Sequence, residues 1–326
     1  MNSVILPYEM QVESIVYQNQ AFALGIIKPN IRQYDQWLCN KYINCVAGGG
    51  FNLYDGDIWM VKYGLCIKTG GYMNYEAFHI FCPDLIQKNK QMLEQKFYIL
   101  GSYDEFYIPG KAAYQNQPFV HGYVIYGYDD QNGVFKSAGY LAGGRYKQFD
   151  ITYEDYYRSV TEGNKPRLLS LSYFRINTEY EGQIDIIKIR ENLTDFLDSR
   201  GPANAKINEV YGVNAWEKFA TYIEEAGDNG IDMRYVRAYM EHKGIMDKRL
   251  KCLLKHGYLQ DQSLCTAYDE KVFHKATQLF YMCLKYNLTL NKELQRRMVT
   301  LVRAINTEEE KIIANAIQHL TTVQNI

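Results

Sequence analysis

The hydrophobic pattern changes character near residue 183, and this change limits what the chain can fold into. From about residue 50 to 183 it carries short β-rich runs broken by glycine: residues 76–81, 97–108, 120–128, 133–136 and 168–174. Beyond 183 the spacing becomes helical, with Ile186, Ile189, Leu193, Phe196 and Leu197 on one stripe that ends at Gly201-Pro202. Trp216, Phe219, Ala220 and Ile223 make another stripe. The expectation is an α+β chain: an antiparallel sheet domain over 1–183, then a helical domain over 184–326.

Local signals refine this. Asp129, Asp130, Asn132 and Gly133 tolerate the positive φ that a tight hairpin needs, so the strands flanking them are expected to pair. Tyr42, Ile43, Val46 and Ala47 predict a helix over 39–47, stopped by the glycines at 48–50. A second helix is expected from Asp55 or Asp57 to near Gly64. A last one is expected from Thr307, whose spacing to Glu310 is that of a capping box, through Ile312, Ile313, Ala316 and Leu320.

Charge and cysteine usage exclude some functions. Lys plus Arg number 36 against 37 Asp plus Glu, so no bulk field draws the chain to nucleic acid or an anionic membrane. Seven cysteines without a CxxC pair argue against a disulfide scaffold and a zinc ribbon, and point to a reducing cytoplasm. The start lacks a basic segment followed by an apolar run, and no stretch has the ~18 apolar residues that span a bilayer. A soluble cytoplasmic protein is expected. The glycines at 48–50 lack the Lys and Ser/Thr of a phosphate loop, which disfavours ATP-driven chemistry.

The candidate chemistry is that of a thiol. Cys39 stands where the first helix is expected to start, so the positive end of the dipole would favour its thiolate. Cys45 lies on another side of that helix. Gln33, six residues before Cys39, could place an amide beside the nucleophile's N–H as an oxyanion donor. His121 opens the run His-Gly-Tyr-Val-Ile-Tyr-Gly-Tyr-Asp-Asp and is the candidate base, while His79, within Ala-Phe-His-Ile-Phe, fits a sheet histidine.

Three blocks resemble the papain-fold acyltransferases typified by the N-terminal domain of butirosin biosynthesis protein H. The first comprises Trp37-Leu38-Cys39, residues 50–54 and residues 58–64. The second runs from Leu100 through Asp104 to Pro109, and the third from His121 through Gly127 to Asp129. The helical remainder, with Tyr211 to Trp216, is similar more loosely.

The resemblance implies a papain-like cysteine-protease fold with an appended C-terminal helical domain. It also implies thiotemplate chemistry: an acyl or peptidyl group arrives as a thioester on the phosphopantetheine arm of a carrier protein. Cys39 would accept it, His121 would move the proton, and an amine, such as a diamine, would leave with it as an amide in nonribosomal natural-product biosynthesis. No resident cofactor or metal is implied. Related enzymes place an acidic residue about sixteen positions after the histidine, where this chain has Ser137. Asp104 is therefore the expected third member, with Ser137 the alternative. Lys248, Arg249 and Lys251 belong to a basic cluster that would suit an acidic carrier protein. Two other readings stand beside this one: a cysteine peptidase or thioesterase, and a non-catalytic carrier-binding module.

Overall fold

The computed structural model describes residues 3–54, 66–74, 84–162 and 170–321. Its strands are β1 (Ser3–Ile5), β2 (Asn44–Ala47), β3 (Phe51–Tyr54), β4 (Ile67–Asn74), β5 (Tyr98–Asp104), β6 (Val120–Asp129), β7 (Val134–Leu141), β8 (Arg145–Thr152), β9 (Ser170–Ile176) and β10 (Val210–Tyr211). The helices are α1 (Gln18–Ile27), α2 (Tyr34–Cys39), α3 (Leu85–Glu94), α4 (Tyr153–Thr161), α5 (Ile186–Leu197), α6 (Gly212–Glu224), α7 (Met233–Lys255), α8 (Gln262–Tyr268), α9 (His274–Thr289) and α10 (Lys292–His319). Among the described residues no helix is long and apolar enough to cross a membrane.

The protein is α+β with antiparallel sheets, in two compact units. The first consists of Met1–Arg32 and Trp59–Glu181, the second of Gln33–Ile58 and Gly182–Ile326. A division into 1–183 and 184–326 thus misses an excursion: residues 33–58 belong with the C-terminal helices. The physical reason is that β2 pairs with β10, while Cys39, Ile43, Cys45, Ala47 and Phe51 join the apolar core around Trp216 and Phe219. Each such fully buried large side chain contributes roughly 1.5–3 kcal/mol.

In the first unit the sheet order is β4-β9-β5-β6-β7-β8, and β1 pairs with the far end of β6. The hairpin between β6 and β7 forms as expected. The Asp129 carboxylate accepts hydrogen bonds from the N–H groups of Gln131 and Asn132, and Gly133 takes a φ of 64°. Helix α3 is capped by Asp84 and α4 by Thr152, each side chain accepting a backbone N–H. Helix α1 is buried along most of its length, Gln20 through Ile27 included, so it presents no apolar stripe against a polar face.

The helical stripe over 186–197 forms α5, and Trp216 with Phe219 lies on α6. Two local expectations fail. Residues 39–47 do not form a helix: Cys39 closes α2 and residues 44–47 form β2, paired with β3. Thr307 starts nothing either. It lies inside α10, its hydroxyl donating to Arg303 O, and the helix is capped by Asn291. The helix expected from Asp55 or Asp57 to Gly64, the strand at 76–81 and His79 lie outside the described residues.

Candidate functional site

The histidine of the third block is held by a carboxylate one residue away from the one expected. Strands β5 and β6 pair Tyr103 with His121 and Asp104 with Val120. At the end of β5 the Asp104 carboxylate accepts hydrogen bonds from Phe106 N at 3.1 Å and Phe119 N at 3.0 Å. These bonds fix a 3₁₀ turn over Glu105–Tyr107. The turn brings Glu105 Oε1 to 2.9 Å from His121 Nδ1. With Nδ1–H donating to the carboxylate, Nε2 carries the lone pair, the arrangement of an oriented general base. Glu105 is nearly buried, whereas the His121 side chain keeps 30% of its surface exposed. The imidazole is therefore reachable from solvent while the carboxylate that holds it is shielded.

The surroundings add a buried cation and aromatic walls. Lys111 Nζ lies 3.5 Å from Glu105 Oε1, donates to Tyr140 O at 2.7 Å, and sits over the rings of Tyr103 and Phe149. Burial lowers the Lys111 ammonium to about 8, and Glu105 works against that shift. The rings of Phe119 and Tyr140 stand 5.6 and 6.1 Å from the imidazole. One residue along, Gly122 N donates to Gln18 Oε1 at 3.1 Å, which ties the start of α1 to the His121 strand. A Cβ at Gly122 would come within 2.4 Å of that oxygen, so glycine permits the contact.

Asp104 and Ser137 therefore do not occupy the third position. Asp104 shapes the turn that delivers Glu105, and Ser137, fully buried, donates its hydroxyl to Val124 O at 2.9 Å. The signal for Glu105 was present as a second carboxylate beside Asp104. Choosing between the two needs the register of β5 against β6.

The thiol and amide candidates belong to the other unit. Cys39 and Gln33 belong to the second unit, His121 to the first. Gln33 is the N-cap of α2 and Cys39 its last residue, so the Cys39 N–H lies inside the helix rather than among the free N–H groups of its first turn, the place expected from the sequence. Gln33 is exposed. Cys39 sits at the negative end of the helix, 2% exposed, with Sγ 3.8 Å from Arg249 O. A hydrogen bond with Cys252, followed by burial, pushes the Cys39 thiol far above its ordinary range; Arg249 only partly offsets this.

The basic cluster also divides. Lys248 is exposed, and Lys251 pairs with Asp247 at 2.8 Å. Arg249 is buried and donates to the carbonyls of Cys39, at 2.8 Å, and Lys41, so it is not placed on a docking surface. No protein-family model and no curated protein sequence matches the chain.

Proposed function

We propose that the chain is an amide-forming acyltransferase of papain-like fold in which His121, oriented by Glu105, is the general base. The supporting observation is the 2.9 Å bond between a shielded carboxylate and a partly exposed imidazole. The substrate class rests on the resemblance of the 121–129 block: an acyl thioester on a carrier protein's phosphopantetheine arm and an amine acceptor.

In this reading His121 Nε2 takes a proton from the amine as its nitrogen attacks the thioester carbonyl. The C–N bond forms and the C–S bond breaks. The leaving thiolate recovers the proton from the imidazolium, which Glu105 stabilises, and the products are an amide and a free thiol. The Gln18 side chain, its Oε1 held by Gly122 N, carries an amide N–H₂ group beside the block that could donate to the developing oxyanion. Transfer passes directly from thioester to amine, because the surroundings of Cys39 keep its proton on sulfur.

The test uses the whole chain with an acyl thioester of N-acetylcysteamine and a short diamine, followed by mass spectrometry. Amide formation should depend on the amine. It should fall by about 10²–10⁴-fold in His121→Ala, and it should survive Cys39→Ala. An acylated protein that Cys39→Ala abolishes would restore the acyl-enzyme route. Thioester loss independent of amine would make the protein a hydrolase, and no turnover under any acceptor would leave a carrier-binding module.

A further inference from the structure

The second unit holds a partner for the Cys39 thiol. Cys252, on α7, faces it where α2 meets α7. Both residues line one cavity of about 280 Å³, together with Lys248, Lys251, Lys255 and His256. The backbone places the pair reciprocally. Sγ of Cys252 is 3.7 Å from Asp35 O in the first turn of α2, and Sγ of Cys39 is 3.8 Å from Arg249 O on α7. Each sulfur rests on the other's helix, and the Arg249 guanidinium clamps the end of α2 to α7.

We propose that Cys39 and Cys252 form a peroxide-reactive dithiol, with Cys252 the attacking thiol and Cys39 the resolving one. The inference rests on the second unit alone and on no step assigned to His121. Cys252 is the more open of the two, 8% exposed against 2% for Cys39, and Cys39 beside it, with Lys255 and Arg249, draws its thiol below the ordinary range against burial and Asp35. The cavity gives a molecule as small as hydrogen peroxide a way in. By contrast Cys45, Cys66 and Cys283 are fully buried, and burial pushes the Cys45 and Cys283 thiols up.

The chemistry balances. The Cys252 thiolate attacks one peroxide oxygen, the O–O bond breaks, hydroxide leaves, and Cys252 becomes a sulfenic acid. Cys39 sulfur then attacks Cys252 sulfur as its proton passes to the adjacent sulfenic oxygen, so no free Cys39 thiolate is needed. The S–S bond forms, the S–O bond breaks, and the departing oxygen leaves as water with the Cys39 proton. Two thiols are oxidised, one peroxide is reduced to two waters, and α2 is joined covalently to α7.

The experiment treats the reduced whole chain with a modest excess of hydrogen peroxide. Intact mass should fall by about 2 Da, and a non-reduced peptide map should contain a Cys39–Cys252 cross-link that dithiothreitol removes. Cys252→Ser should slow thiol loss at least about tenfold. In Cys39→Ser the sulfenic acid should persist on Cys252, where dimedone traps it. Oxygen addition spread over the cysteines without a cross-link in the unmutated protein would overturn the proposal, whatever the variants do. So would a cross-link joining other residues, or undiminished reactivity of folded Cys252→Ser.

Discussion

The most direct physical test concerns Lys111, whose side chain is fully buried and whose ammonium is lowered from 10.5 to about 8. Between those two values the unfolded chain holds a proton that the folded chain has released, so stability rises with pH across that window. Below about pH 8 the folded protein carries the full cost of a buried cation, only partly offset by Glu105 and the rings of Tyr103 and Phe149. Integrating from about pH 7 to about pH 9.5 gives a gain on the order of 2 kcal/mol from this one group. Lys111→Met removes the titration and keeps most of the side-chain volume. Urea midpoints followed by circular dichroism would be compared for the two proteins across that range, since the difference between them cancels every shared titration. The scan stops short of pH 10 because the buried Tyr103 and Tyr123, whose hydroxyls titrate well above the ordinary value, then impose an opposite slope. The unmutated protein should gain about 2 kcal/mol relative to the variant as pH rises. Parallel curves would show that Lys111 is not a buried cation at neutral pH and would remove the electrostatic account of the Glu105 cluster.

Three further outcomes follow from the same geometry. Glu105→Gln should lower amide formation by at least about 10²-fold, because the imidazolium loses its charged partner, whereas Asp104→Asn should chiefly cost about 1–2 kcal/mol of stability; assays of both variants at matched folded fractions separate the two effects. Lys243 and Glu309 form a fully buried ion pair to which Tyr268 also donates, so Glu309→Gln should destabilise the second unit by about 3–5 kcal/mol in chemical denaturation, and adding Lys243→Met should recover much of the loss. Gly212 takes a φ of 58°, and a Cβ there would stand 2.1 Å from Phe196 O, so Gly212→Ala should lower the thermal midpoint by several degrees in calorimetry.

The sequence made some of this legible because certain patterns are local. The β6–β7 hairpin follows from Asx and Gly chemistry within five residues, and α5 from a stripe whose members Ile186, Ile189, Leu193 and Phe196 are all buried. What failed depended on distant partners. Tyr42, Ile43, Val46 and Ala47 look like one helix face, yet the pairing of β2 with β3 and β10 makes Val46 and Ala47 strand residues. Strand β8 was missed because Arg145, Lys147 and Gln148 stand exposed on a sheet edge, where charge replaces the apolar signature. Helix α1 was missed for the opposite reason, being apolar on nearly every side. At the site, His121 could be singled out as one residue, but its carboxylate could not: Asp104 and Glu105 are adjacent, and only the turn after β5 decides which of them turns toward the ring.

The excursion of residues 33–58 into the second unit has a consequence for synthesis on the ribosome. These residues emerge before most of the sheet unit that flanks them, yet β10 and α6, against which β2 and Phe51 are packed, come much later. At elongation rates of about 5–20 residues per second the interval is on the order of ten seconds. During that time Ile43, Phe51 and their neighbours have no native surface to cover them, while the intervening strands can already pair among themselves. Neither unit can therefore finish strictly in order of translation. The nascent chain carries a provisional hydrophobic segment until its last third is complete, and holdase chaperones or slowed elongation after residue 58 would bear most directly on how much of it reaches the native state.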